Sequence, residues 1–249
     1  MDFLNVLLGR RRVIVKEPER AIVLRKGEVS DLLLPGEHWL SDGAHVEVIR
    51  IDTRIAEFHP PYENALFDKV PEVAGRQLTV IRTSKDEVAV IERDGVAFDV
   101  VTPERKIMLW TDAGPWTVTK VDVSASPEVE PELLRRLTLA KRLEALQRHL
   151  VSEGHVGLVF VDGVHRRTLT PGTYGFWSAG RSLVVHVVDT RRSPLEITGQ
   201  ELLTRDRVTI RVNVAAEYTV SDPLRAVTTV PKYQDALYRA LQLGVRKTL

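Results

Sequence analysis

Apolar and polar positions fall into short blocks along this chain, and the blocks repeat. Three strand-length apolar runs are Ala21-Ile22-Val23-Leu24, Val88-Ala89-Val90-Ile91 and Val156-Gly157-Leu158-Val159-Phe160. Each stands just before a glycine (Gly27, Gly95, Gly163), and each glycine is followed eight residues later by a proline (Pro35, Pro103, Pro171). A period of about 68 residues is long for a solenoid unit, so each unit reads as a small β module rather than a single hairpin. Asp94-Gly95 and Asp162-Gly163 are hairpin-turn signals. The first and third copies share Pro-Gly, then an aromatic stretch (His38-Trp39; Tyr174-Gly175-Phe176-Trp177), and close on Asp52-Thr53-Arg54 and Asp189-Thr190-Arg191. The second copy departs from them, with Glu104 after its proline and Asp122-Val123 at its close. Tandem modules contact mainly their neighbours, so the pattern favours an elongated surface or an assembly over an enzyme.

The rest of the pattern fills in around the modules. Residues 1–12 form an N-terminal segment, 13–58 the first β module, 59–76 a proline-broken linker, and 77–123 the second module. Residues 124–152 read as a breaker followed by one amphipathic helix over 132–151. Leu133, Leu137, Ala140, Leu143, Leu146 and Leu150 make its apolar side and basic residues most of the rest. Residues 153–249 form the third unit, where Val208, Ile210, Val212, Val214, Ala216, Tyr218 and Val220 alternate with polar positions. That period of two predicts a long strand central to the unit, with Val212 and Val214 buried. Ser221-Asp222-Pro223 signals a helix start. Pro231 opens a second helix whose apolar side still runs at Leu249, which implies a longer natural chain. The fold class is therefore α+β: tandem, mainly antiparallel β modules, with a helix between the second and third and a C-terminal helix.

Composition narrows the classes. The 249 residues are 28% charged and 43% hydrophobic, the balance of a globular protein, and the net charge of +1 gives no global field for nucleic acid or membrane. Cysteine is absent, which removes disulfides, thiolate metal sites and cysteine nucleophiles. No apolar run approaches the roughly 20 residues of a membrane span. The first apolar stretch, Phe3 to Leu8, precedes Arg10-Arg11-Arg12, the reverse of a secretory signal. Two readings stand: a short helix docked on its own protein or a partner, or a shallow interfacial anchor. In the second, Leu4, Leu7 and Leu8 lie at the acyl boundary and Arg10, Arg11 and Arg12 on lipid phosphates. One copy would hold weakly, and many copies firmly.

Candidate chemistry is sparse. The seven histidines show no metal-binding spacing, and no nucleophile elbow or phosphate-cradling glycine loop occurs. No catalytic, cofactor or metal residues are assigned. The Asp-Thr-Arg tripeptides read as strand closures by hydrogen bonding. Trp39, Trp110, Trp116 and Trp177 read as packing residues rather than a ligand cage. The basic runs lack interleaved aromatics, which argues against nucleic acid as a partner.

The segment from Gly154 to Leu249 resembles the SPFH (band 7) domain of the stomatin and slipin family. The resemblance rests on Glu153-Gly154-His155-Val156-Gly157-Leu158-Val159, Leu169-Thr170-Pro171-Gly172-Thr173-Tyr174, Val188-Asp189-Thr190-Arg191, and above all the turn Thr198-Gly199-Gln200-Glu201-Leu202-Leu203-Thr204-Arg205-Asp206. Asp222-Pro223 and Tyr233 to Tyr238 match its helix starts, and Glu19 to Arg54 is similar to a weaker copy of the same opening. The N-terminal hydrophobic hairpin and the coiled-coil tail of many family members are not in this sequence. The resemblance implies a non-enzymatic, homo-oligomeric scaffold, a ring or cage peripheral to the cytoplasmic face of a membrane. Such a scaffold organises a membrane microdomain and partners such as a membrane protease. Stacked β modules before such a domain are also similar in architecture to the major vault protein, and the alternative is a soluble, vault-like closed shell without lipid contact.

Overall fold

The computed structural model describes residues 9–41, 45–59, 61–124, 126–178, 180–203 and 206–248. Its first module contains strands β1 (Arg10–Val15), β2 (Glu19–Arg25), β3 (Glu28–Leu33), β4 (Gly36–Ser41) and β5 (Val46–Asp52). β1 pairs with β4, and β2 lies between β3 and β5, all antiparallel. The second module, β6 (Leu78–Arg82), β7 (Glu87–Arg93), β8 (Val96–Val101), β9 (Lys106–Trp110) and β10 (Trp116–Asp122), is wired identically: β6 with β9, and β7 between β8 and β10. So is the third: β11 (Leu146–Val151) with β14 (Gly172–Trp177), and β12 (His155–Val161) between β13 (Val164–Leu169) and β15 (Leu183–Asp189).

The equivalence reaches single residues. Each central hairpin turns on two residues with positive φ: Lys26-Gly27 (52°, 82°), Asp94-Gly95 (52°, 77°) and Asp162-Gly163 (51°, 77°). Two left-handed central residues match the twist of the flanking strands, and glycine at the second takes that conformation without steric cost. Each register then slips once, between Val23 and Leu24, Ile91 and Glu92, and Val159 and Phe160, at equal intervals along the chain. Glu104, where the sister modules carry glycine, itself adopts a positive φ of 56°.

Within each module the two-stranded and three-stranded sheets enclose an apolar core. Val13, Val15, Ala21, Val23, Leu33 and Leu40 form the first. Ile81, Ala89, Ile91, Val101 and Leu109 form the second, and Val151, Val159, Val161, Leu169, Phe176 and Leu183 the third. The chain divides into two compact units, Met1–Ser126 with Arg135–Ala145, and Pro127–Leu134 with Leu146–Leu249.

In the first unit, the stretch expected as a linker is two helices, α1 (Glu63–Lys69) and α2 (Pro71–Gln77). Pro71 sits at the first turn, where it lacks only an N–H that has no intrahelical partner. Leu66 and Ala74 are fully buried in a second cluster with Ile22, Leu24, Phe58, Leu78, Met108 and Trp110, which joins the first module to the second. Arg20, 4% exposed, crosses the same seam. It donates to Gln77 Oε1 (2.6 Å) and the Glu19 carbonyl (2.8 Å) and pairs with Asp112.

The helix expected over 132–151 is shorter. α3 spans Pro131–Leu139, and Leu146 to Val151 is strand β11. Lys141, with φ 56°, interrupts the helix. Leu146, Arg148 and Leu150 fit a period of two as well as of four, and pairing with β14 selects the strand.

The second unit continues into a long hairpin, β16 (Ser193–Leu203) and β17 (Thr209–Tyr218), which pair antiparallel as a two-stranded sheet. The alternation of β17 is present, but Val212 and Val214 are half-buried, not buried, because no third strand flanks them among the described residues. Two helices follow, α4 (Pro223–Thr229) and α5 (Tyr233–Thr248). Asp222 caps α4 by accepting from the Arg225 N–H at 3.0 Å. The side chain of Gln242 on α5 donates to Gln200 on β16 at 2.9 Å.

Candidate functional site

Of the residues singled out for membrane contact, Leu4, Leu7 and Leu8 lie outside the described residues. Arg10, Arg11 and Arg12 do not belong to a separate N-terminal segment. They are the first half of β1, opposite Ser41, Leu40 and Trp39 of β4. Side chains alternate across a strand. Val13 and Val15 face the core, which places Arg10, Arg12 and Ile14 on the outward face. On β4, Leu40 faces the core, which places Glu37 and Trp39 on that same outward face. Glu37 ties the face together: its carboxylate accepts from the Arg12 guanidinium at 2.8 Å and from the Trp39 indole N–H at 3.0 Å. Arg50 donates to the Ile14 carbonyl at 3.4 Å.

The equivalent faces of the other modules are covered. Each module carries a tryptophan on the outward side of its fourth strand. Trp110 on β9 is 1% exposed, packed against Phe58 edge-to-face with ring centroids 5.0 Å apart. Trp177 on β14 is also 1% exposed. That strand is crossed by the segment from Pro127 to Leu134: Val129 N–H donates to the Gly175 carbonyl at 2.8 Å and Trp177 N–H to the Pro127 carbonyl at 2.7 Å. The residue facing the tryptophan across the ladder is Leu78 in the second module and Leu146 in the third. In the first module Ser41, opposite Arg10, holds that place, while Trp39 stands two positions away opposite Arg12 and is half-buried, with Ile14 51% exposed. The sequence displays Trp39, but only the strand pairing shows that it shares a face with two arginines and an isoleucine. The alternation Arg10, Arg12, Ile14 against Arg11, Val13, Val15 was the available signal.

The Asp-Thr-Arg tripeptides close their modules as expected. Thr53 N–H donates to the Pro18 carbonyl and Thr190 N–H to that of Gly154, each at 2.9 Å, and Val123 does the same to Asp86 in the second module. Arg54 and Arg191 fold back on Asp52 and Asp189 through guanidinium bonds as short as 2.6 and 2.7 Å. These bonds hold the Asp52 carboxyl down at about 2 and the Asp189 carboxyl well below the usual carboxylate range. Both aspartates serve strand closure.

Among the described residues no group of three or more histidine, aspartate or glutamate side chains is arranged to hold a metal ion. His165 and His186 instead flank the Phe160 ring, each with centroids 5.5 Å away. A cavity of about 410 Å³ lies between the end of β17 and α4–α5, lined by Tyr218, Arg225, Tyr233 and Leu237 among others. Burial pushes the Tyr233 phenol up from its ordinary value. No described helix is long and apolar enough to cross a membrane.

Comparison with known sequences bears on the second unit. Residues 149–249 match the SPFH domain / Band 7 family. That stretch is an SPFH domain. It begins within β11 and takes in β12 to β15, the long hairpin and both C-terminal helices. A protein of Archaeoglobus fulgidus is 33% identical over 100 residues, 40% of this chain and 39% of that protein. Stomatin homologues of Pyrococcus horikoshii and Pyrococcus abyssi are each 36% identical over 63 residues, 25% of this chain and 24% of theirs. The matched region thus spans well under half of each relative. No solved structure matches the chain.

Proposed function

We propose that this protein is a non-enzymatic subunit of a homo-oligomeric SPFH scaffold, a ring or cage peripheral to the cytoplasmic face of a membrane, where it organises a microdomain and its membrane-protein partners. The observation that carries the reading is the architecture: three β modules of identical wiring in series along the chain, the last lying within the stretch that matches the SPFH domain. Modules of this kind repeat the same wiring along the chain, and copies of the chain would meet through like modules. The similarity to stomatin homologues supports the membrane association.

Static light scattering and electron microscopy of the longest natural form test the assembly, and flotation with anionic liposomes tests the membrane. The reading expects a large closed oligomer that floats. A monomer at micromolar concentration overturns the scaffold, and a closed oligomer that stays at the bottom of the gradient leaves the soluble, vault-like shell.

A further inference from the structure

We infer that the outer edge of β17 is the surface by which two copies of this chain meet, β17 running antiparallel to the β17 of a second copy about a two-fold axis at Val214. This rests on the homo-oligomeric reading and supplies one of its contacts. The edge follows from one proline. Ser193 of β16 stands opposite Tyr218 of β17, and the next pair is Pro194 with Glu217. Pro194 has no N–H, so Ser193 and Tyr218 are the pair that exchanges ladder bonds, and the antiparallel alternation then gives bonds to Ala216 and Val214. The extra residue at the register shift lies on β16, so the alternation along β17 is unbroken. Thr209, Arg211, Asn213, Ala215 and Glu217 therefore point their N–H and C=O groups away from β16. No described strand pairs with that row.

The two edges of the hairpin differ. Native edges are guarded by prolines, bulges or a covering element, and β16 has all three. Pro194 removes a donor, the strand bulges at Gly199, and Gln200 is held by Gln242 and Arg246 of α5 at 2.9 and 3.3 Å. β17 has no proline and no extra residue over its ten positions. Its sequence is instead self-complementary about Val214. Arg211 lies three positions before Val214 and Glu217 three after, so this register sets each arginine opposite the glutamate of the other copy. Both are exposed and both belong to the outward-pointing row. Within one chain the Arg211 guanidinium lies beside Gly199, which gives it no charge partner. Glu217 accepts from Arg192 at 3.3 Å through one carboxylate oxygen and has a second to offer. Opposite charges facing each other across a ladder favour the pairing. On the other face the same register brings Ile210 against Tyr218, Val212 against Ala216 and Val214 against Val214. These are the half-buried positions of β17. The second copy extends their apolar strip and makes β17 a central strand, the place its alternation predicts.

Disulfide crosslinking of the full-length protein tests this, because the chain has no cysteine of its own. Val214 would meet its copy as a non-hydrogen-bonded pair with Cα atoms about 4.5 Å apart, within the range a disulfide spans. Val214→Cys, oxidised with copper phenanthroline, should therefore run mostly as a dimer on a non-reducing gel. Val212→Cys and Ala216→Cys should crosslink when mixed and not alone. Adding Arg211→Glu or Glu217→Arg to Val214→Cys should lower the dimer about tenfold, and both charge changes in one chain should restore it. Light scattering of each sample reads the size of the assembly.

If Val214→Cys crosslinks no more than Val212→Cys alone, this edge is not the contact. A large oligomer in the same sample then keeps the scaffold reading, and a monomer removes both. A dimer indifferent to every charge variant also overturns the inference, because the copies then meet in another way. Amide exchange separates the last alternative. If the N–H groups of Arg211, Asn213 and Ala215 stay protected in protein diluted to the monomer, another segment of the same chain covers β17 and a second copy does not.

Discussion

Thr190 bonds the Gly154 carbonyl oxygen twice, through its backbone N–H at 2.9 Å and its hydroxyl at 2.8 Å. The double bond locks the end of β15 to the start of β12, beside the Asp189–Arg191 clasp. Thr190→Val keeps the shape and the backbone bond and removes only the hydroxyl. The expected loss is about 1 kcal/mol, the net worth of one part-buried hydrogen bond. Urea unfolding of the purified protein measures it, and an unchanged midpoint would mean that the hydroxyl is equally well served by water.

The Asp52–Arg54 clasp gives a pH dependence of definite sign. The folded carboxyl titrates at about 2, below its ordinary 3.8, because the Arg54 side chain and N–H bond the ionised form. A depressed carboxylate stabilises the fold above its unfolded value, and that contribution disappears as pH falls through the folded value. Stability should therefore decline between about pH 4 and pH 2, and Asp52→Asn should flatten part of that decline. Asp189, depressed further by Arg191, should act over the same range and extend it to lower pH. Unfolding midpoints measured across an acid series check both, and an Asp52→Asn profile parallel to wild type would remove the clasp from the account.

The three hairpin turns offer a test of module equivalence. A Cβ at Gly27 or Gly95 would meet nothing within 4 Å, so replacement by alanine costs only the left-handed conformation. That is about 1 kcal/mol at each site. Both turns lie in the first unit, and thermal melts of Gly27→Ala and Gly95→Ala should shift alike. One silent and one costly substitution would show that the turns carry different loads.

The modules were legible because their signals are local. A turn that needs positive φ selects glycine, and a buried strand selects an apolar run, so both leave marks at fixed spacing. The SPFH segment was legible for the same reason, through the bulge of β16 at Gly199, where φ is 65° and the N–H meets Asn213 Oδ1 at 2.8 Å. What depends on a distant partner was not. Leu146 to Leu150 fits helix and strand spacing equally, and β14 decides between them. The half-exposure of Val212 follows from the absence of a described strand beyond β17, which no alternation can reveal. The arginines of β1 looked like a tail because three consecutive charges hide a period of two.

Arg20 shows a buried charge whose removal and isolation should differ. Its side chain is 5% exposed while its partner Asp112 is 53% exposed, and burial lowers the guanidinium pKa from its ordinary value. Arg20→Met keeps the stem and deletes the charge, and should fall within about 1 kcal/mol of wild type. Asp112→Ala leaves the cation with Gln77 and the Glu17 and Glu19 carbonyls, and should cost about 2 kcal/mol, the worth of one hydrogen bond to a charged group. Denaturant melts rank the pair, and the reverse order would mean that packing, not charge, governs the seam.

Gly175 and Leu134 carry the sharpest steric prediction. Gly175 on β14 lies beneath Leu134 of α3, and a Cβ there would stand 2.6 Å from Leu134 Cδ1 and 3.1 Å from Cδ2. Leu134 is 5% exposed, so it has little room to retreat. Gly175→Ala should therefore push the segment Pro127–Leu134 off the strand, at about 1–3 kcal/mol. The nearby backbone bonds from Val129 to Gly175 and from Trp177 to Pro127 would lengthen with it. Leu134→Ala alone should cost about 2–3 kcal/mol through the cavity it leaves. The double variant should cost less than the sum, because the new methyl occupies part of that cavity. A double-mutant cycle on unfolding free energies reads the coupling directly. Strict additivity would mean that the helix already moves freely over Gly175, and the close approach would lose its structural role.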